Sequence, residues 1–320
     1  MLLYTLKGER INDSWYVKDG DTYHTFFLRY PADGDPRGFW SWQSCAHMTS
    51  RDLVHWEDHG IVLAPETGIW NDVGIATGSV VKHEDTWYML YTAGSSCGKD
   101  GLGLAKSTDL MTWERVGDGP VIPRGRYPIS HEGMLIDCYP LADPYIYPEA
   151  IDGRYYIFIN SHAAGYPINA RGTTAVFTTR DFVHFYPYCA AIVEGCDRME
   201  TVCVWKRGGI FYMYAGIVTS IVDENDPGKI VGQRVRNAVY TADSIAGPYR
   251  YLQDLELPGE TLSAAGTSYI AKVLTSPEGR EVLLMNLIPF GVIGPYAMTY
   301  GEDGRFTLSK IPEYEEKTVL

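Results

Sequence analysis

Five stretches of this chain begin and run alike. They are "DSWYVKDGDTYHTFFL" from Asp13, "TGSVVKHEDTWYMLYT" from Thr77, "ADPYIYPEAIDGRYYIFIN" from Ala142, "ETVCVWKRGGIFYMYAG" from Glu200 and "GTSYIAKVLTSPEGREVLLMNL" from Gly266. Their starts fall roughly 60 residues apart, room for about four short strands in each unit. Each unit is a β-branched or aromatic run, a turn and an aromatic-rich second run, which is the pattern of a hairpin. The turns are Asp19-Gly20, Glu84-Asp85, Asp152-Gly153, Gly208-Gly209 and Glu278-Gly279. A second echo follows downstream in "TSRDLVHWE" at Thr49, "STDLMTWE" at Ser107, "TTRDFVHFY" at Thr178 and, more weakly, "TADSIAGPY" at Thr241. It reads as a turn into an outer strand, with Trp56, Trp113 and Phe185 packing between sheets. "GLGLAKST" at Gly101 lacks the ending of a phosphate-binding loop and also reads as a strand. Helical periodicity is scarce throughout. The expectation is an all-β chain, a single five-bladed β-propeller of four-stranded antiparallel blades over residues 1–320. Either "MLLYTL" or "RFTLSKI" is expected to supply the strand that closes the ring.

Composition narrows the partners. The formal net charge of -13 argues against nucleic acid or an anionic membrane surface, both of which need a basic patch. Neither a signal peptide nor a run long enough to span a membrane is legible, so a cytoplasmic location or an already processed secreted form is expected. Six cysteines (Cys45, Cys97, Cys138, Cys189, Cys196, Cys203) are spread without a C-x-x-C pair and read as buried free thiols. The 24 tyrosines and 8 tryptophans suit strands and surfaces on which a sugar stacks. Oligomeric state is not readable.

In a propeller the innermost strands line the axis, so equivalent ends of the five strands converge. Asp13, Asp143 and Glu200 stand at the starts of the first, third and fourth inner strands. Thr77 and Gly78 in the second unit, and Gly266, Thr267 and Ser268 in the fifth, are small or hydroxylated and leave room for a ligand. Three carboxylates facing one cavity repel, so one takes up a proton near neutral pH. A protonated acid beside an ionised carboxylate is what glycoside hydrolysis requires.

These residues carry a resemblance. The chain resembles the five-bladed glycoside hydrolases of families 43 and 32, which share an Asp on the first inner strand, an Asp-Pro on the third, here "ADPYIY", and a Glu on the fourth, here "METVCVWKRGGIFYMYAG". "NDSWYVKDGDTYHTFF" is similar to the family 43 opening, whereas "CAHMTSRDLVHWEDHGIVLAPE" resembles family 32, the β-fructosidases, more closely. The likeness spans nearly the entire chain and implies a carbohydrate substrate. Under the family 43 pattern Asp13 is the base, Glu200 the general acid and Asp143 its modulator, with inversion. Under the family 32 pattern Asp13 is the nucleophile, Glu200 the acid/base and Asp143 a binder of sugar hydroxyls.

The chain departs from family 32 at Ser14-Trp15, where Pro-Asn is usual, at Ala142, where Arg is usual, and at Thr201, where Cys is usual. Family 43 members usually have small residues after the Glu, and many place a His in the fifth blade near a central metal; the last His here is His184. No metal and no cofactor are therefore expected. Ala142 and the propeller-only length favour a terminal arabinofuranosyl or xylosyl unit as substrate, with β-fructofuranoside cleavage and a non-catalytic glycan-binding propeller as alternatives. Trp15, Trp40, Trp42 and Trp70 with Asn71 are candidate sugar platforms, with Thr77 and Thr267 as hydroxyl contacts. His47 occupies the place of a His in the family 32 phrase. Asp72 and Asp137 are spare carboxylates near blade entrances.

Overall fold

A computed structural model describes residues 2–4, 6–31, 43–139, 142–258, 267–288 and 291–315. Each repeated unit forms one antiparallel sheet in which every strand pairs with its sequence neighbour. The first blade is Glu9–Asp19, Thr22–Pro31, Ser44–Ser50 and Glu57–Leu63, and the fourth is Arg198–Arg207, Ile210–Asp223, Asp226–Ala242 and Arg250–Asp254. In the second blade Gly74–His83, Thr86–Gly94 and Gly101–Ser107 are followed by an outer strand in two pieces, Glu114–Arg115 and Ile122–Pro123, both on Gly101–Ser107.

Two blades are more elaborate than the repeat predicts. The third, Ala142–Ile146, Tyr155–His162, Gly172–Thr179 and Phe185–Val193, gains a hairpin, Tyr127–His131 with Met134–Cys138, which docks parallel on Phe185–Val193 through Ser130 and Cys189. The fifth, Thr267–Thr275, Glu281–Ile288 and Gly291–Tyr300, takes its outer strand from both ends of the chain. Leu2–Tyr4 pairs with Val292 and Ile293, while Phe306–Lys310 pairs with Tyr296 to Tyr300. The two candidates for ring closure therefore share the same edge, one above the other.

Each seam between blades holds its own apolar cluster, so the middle strands are buried on both faces. Trp15, Phe26 and Tyr91 fill the seam of blades one and two; Leu90, Ile157 and Phe177 fill the next; Phe158, Met213 and Tyr240 the third; Tyr214, Leu283 and Tyr296 the fourth; Tyr23, Val282 and Tyr314 the last. This explains why strands such as Gly172–Thr179, buried at every position, do not alternate in polarity. Of the six cysteines, all free, four are buried, Cys189 is half-buried and Cys97 is exposed.

The downstream echo is a turn that seats one apolar residue in a seam. In the first three copies a Ser or Thr hydroxyl accepts the N–H three residues on, Ser50 from Leu53 at 2.9 Å, Ser107 from Leu110 at 2.9 Å and Thr179 from Phe182 at 3.0 Å. The following Asp takes the next two N–H groups; Asp109, for example, accepts from Met111 and Thr112, both at 2.8 Å. These bonds hold Leu53, Leu110 and Phe182 at φ of 65°, 64° and 54°, a left-handed conformation that non-glycine residues rarely adopt. All three side chains are buried. Trp113 packs edge-on against Phe26 of the first blade at 5.5 Å between centroids, and Phe182 stacks on Tyr88 of the second at 4.6 Å. Phe182→Ala is expected to empty the seam between blades two and three and to lower stability by about 3–5 kcal/mol, read as a lower urea midpoint at unchanged slope.

Candidate active site at the propeller axis

The inner strands share an irregularity that no single repeat reveals. Pairing with the second strand slips between Ile11 and Ser14, Ile75 and Gly78, Ala142 and Tyr145, Glu200 and Cys203, and Tyr269 and Ala271. A bulge of this kind bends a strand and turns a side chain away from its regular face. Here five bulges lie at equivalent places, and the residues at or beside them are Asp13, Thr77, Asp143, Glu200 and Tyr269. Asp143, Thr201 and Ile270 take φ of 52°, 53° and 62°, a strain on the order of 1–3 kcal/mol each, of the sort that clusters at functional sites.

The structure brings Asp13, Asp143 and Glu200 together, and each carboxyl finds a different partner. The Thr77 hydroxyl donates to Asp13 Oδ2. Asn160 Nδ2 donates to Asp143 Oδ2 at 3.2 Å, and the Asp143 N–H donates to Thr92 Oγ1 at 2.8 Å. The Tyr269 hydroxyl donates to Glu200 Oε2 at 2.8 Å, while Arg198 Nε forms an ion pair with Oε1 at 2.7 Å. Tyr269 reaches Glu200 by crossing Gly216, where any β-carbon would overlap its ring.

Charge crowding shows in the titration of the group. Burial, then the negative charge of Glu200, lift Asp13 to about 6 against the pull of the Thr77 hydrogen bond and of the Lys272 ammonium. Burial and the charges of Glu200 and Asp13 lift Asp143 to about 7, although Asn160 and Thr77 favour its ionised form. Burial and the charges of Glu200 and Asp143 hold the Tyr269 phenol well above its ordinary value, which keeps it a donor. The arrangement therefore stores protons near neutral pH and sets an ionisable nucleophile or base beside a carboxyl held by one phenol donor and one ion pair. Among the described residues no group of three or more His, Cys, Asp or Glu could hold a metal ion.

The remaining predicted contacts divide. Thr77 is buried and holds Asp13. Trp15 is only 2% exposed, stacked on Phe26 at 6.4 Å, and Trp70 lies in the same seam cluster; both are core, not platforms, because packing between blades claims their faces. Asn71, also fully buried, donates weakly to Tyr91 at 3.4 Å. His47 is removed from the axis: it stacks between Phe26 and His24, with His24 Nδ1 2.9 Å from its Nε2, and burial drives it down to about 3. Asp72 braces a loop by accepting from the Ser96 N–H at 2.8 Å and hydroxyl at 2.5 Å. Asp137 belongs to the extra hairpin, not to an inner strand. Trp40 and Trp42 fall outside the described residues, as does the side chain of Thr267. A groove of about 560 Å³ lined by Tyr251, Leu255 and Phe306 runs along the outer edges of blades four and five and contains none of the acids.

Sequence reasoning missed Arg198, Tyr269, Asn160 and Lys272. Only Arg198 had a signal, since it lies two residues before Glu200 and so on the same strand face.

Comparison with known proteins gives a match to the glycosyl hydrolases family 32 N-terminal domain over residues 11–214, a span that contains all three acids. The sucrose-6-phosphate hydrolase of Bacillus subtilis is 25% identical over 274 residues, 82% of this chain and 51% of that protein. This chain spans about half or less of the length of the curated relatives it matches first. A thermostable family 43 glycoside hydrolase shares the fold with a TM-score of 0.68 at 17% identity, covering 96% of each chain. A family 32 β-fructofuranosidase from Bombyx mori does so with a TM-score of 0.68 at 16% identity, covering 96% of this chain and 63% of that one.

The raised carboxyls predict an inverse pH dependence of stability. A folded value near 7 for Asp143 exceeds the value of about 3.9 in an unfolded chain, so the native state binds the extra proton and loses stability as pH rises from about 4 through 7. Asp143→Asn is expected to gain on the order of 1 kcal/mol at pH 8 and nothing at pH 4, measured by urea unfolding at the two pH values.

Proposed function

The chain belongs to glycosyl hydrolase family 32, and from that premise we propose that it hydrolyses β-fructofuranosides, with Asp13 as nucleophile and Glu200 as acid/base. The observation that carries this reading is that the family match encloses the three acids whose side chains meet at the axis. The activity in the name of the Bacillus relative supports a fructosyl substrate, as does that of the Bombyx fold neighbour. This favours the fructosyl alternative over the arabinofuranosyl or xylosyl preference drawn from Ala142 and chain length; the likeness to a family 43 structure at 17% identity speaks to fold alone.

In this mechanism an Asp13 oxygen attacks the anomeric carbon while the bond to the leaving oxygen breaks and Glu200 delivers its proton to that oxygen. A fructosyl ester of Asp13 results. Water then attacks the same carbon, gives its proton to Glu200 and frees the carboxylate. Thr77 holds Asp13 at one oxygen, leaving the other for attack. Tyr269 and Arg198 fix the plane of the Glu200 carboxyl. Asp143, held by Asn160 and by its own bulge, faces sugar hydroxyls, accepting when ionised and donating when protonated.

A substrate panel tests the reading. Sucrose and sucrose 6-phosphate are expected to be split, whereas nitrophenyl α-L-arabinofuranoside and β-D-xyloside are not. Glu200→Gln is expected to lower kcat by about 10²–10⁴-fold. Turnover of the pentosides without any fructoside would overturn the assignment, and glycan binding unaccompanied by turnover of any substrate would favour a binding module.

A further inference from the structure

Lys272 is the only lysine or arginine that is fully buried among the described residues, at 5% exposure. It lies on the inner strand of the fifth blade, three residues past Tyr269 and beyond the bulge at Ile270. Its ammonium donates to the Val202 carbonyl at 2.9 Å and reaches that of Thr201 at 3.4 Å. Those two carbonyls belong to the bulge that follows Glu200. The ammonium also lies 5.2 Å from the centre of the Tyr145 ring on the third blade, whose hydroxyl donates to the Val204 carbonyl at 2.8 Å. One cation thus touches blades three, four and five below the carboxylates.

Burying an ammonium costs several kcal/mol unless opposite charge and acceptors compensate. Carbonyls and a ring face satisfy its hydrogens, but only the acids supply opposite charge. Facing it are Asp13 from the first blade, Asp143 and the Tyr145 phenol from the third, and the Cys203 thiol from the fourth. Around Asp13 stand Thr77, Glu200 and the Tyr30 phenol. The other cation beside the acids, Arg198, is paired with Glu200 and Asp197.

We propose that Lys272 is the internal counter-ion of the axial carboxylates, a positioning residue that anchors the Glu200 bulge and whose charge lets Asp13 stay ionised beside Glu200 and Asp143. Burial leaves the ammonium below its ordinary value, and Cys203, Asp13 and Asp143 offset part of that pull. The catalytic readout of this role rests on the fructosidase reading; the charge itself does not.

Three substitutions separate charge from scaffolding. Lys272→Gln keeps a donor for the carbonyls without the charge, Lys272→Met removes both, and Lys272→Arg keeps the charge. The acid limb of kcat/KM on sucrose is expected to move up by at least one pH unit in Lys272→Gln and Lys272→Met and to stay in place in Lys272→Arg. A uniform loss of activity at every pH, with the limb unmoved in Lys272→Gln, would overturn the proposal. Carboxyl carbon NMR of aspartate-labelled protein reads the same upward shift at Asp13 without turnover, so it decides the point even if wild type splits no fructoside. Should the uncharged variants fail to fold, the amine of Lys272 in wild type decides instead. A protonated amine from pH 6 to 8 supports the counter-ion, and a neutral one contradicts it.

Discussion

Mutual repulsion among Asp13, Asp143 and Glu200 is the constraint to which the centre of this molecule is fitted. Three carboxyls gathered around one axis raise one another's affinity for protons, and burial with this repulsion lifts Asp13 to about 6 and Asp143 to about 7. The fold answers with a different partner for each: a threonine hydroxyl for Asp13, an asparagine amide for Asp143, a phenol and a guanidinium for Glu200. The result is a set of acids whose environments differ, which is the condition for dividing nucleophilic and acid/base work between similar groups.

Geometry and strain meet in the five bulges. A regular inner strand would alternate its side chains between the two seams, which are filled by rings such as Trp15 and Tyr214. Displacing one or two residues per strand turns the acids out of the seams and towards the axis. The left-handed backbone at Thr201 and Ile270 shows that the displacement is imposed by surrounding structure, because β-branched residues disfavour that conformation. Stability is thereby exchanged for a site, as is common where function sets the geometry.

Much of the architecture was legible because it rests on local patterns. Hairpin turns with Gly or Asp, aromatic second strands and the Ser/Thr-x-Asp echo each recur at one place in the repeat, and three acids at equivalent starts point to one centre. The rest depends on contacts distant in sequence. Lys272 in "YIAKVL" looks like an ordinary solvent-facing lysine, and nothing local says that the carbonyls of Thr201 and Val202 receive it. Tyr269 reads as one more strand aromatic until Gly216 opens a path to Glu200. Trp15, Trp70 and His47 drew attention as sugar contacts because aromatic composition cannot distinguish a seam from a surface. The hairpin of 127–138 lies between repeats and carries no repeat signal. The pentosyl preference rested on Ala142: a single missing guanidinium says what does not hold the ligand, and gives no information on what does.

The central claim is that a fructosyl ring sits at the axis between Asp13 and Glu200. A crystal structure of Asp13→Asn soaked with sucrose tests it most directly. The account predicts the anomeric carbon facing residue 13, the glycosidic oxygen within hydrogen-bond reach of Glu200, and ring hydroxyls on Asp143. Sugar bound on an outer groove, or an axis in which the three side chains point apart, would contradict it.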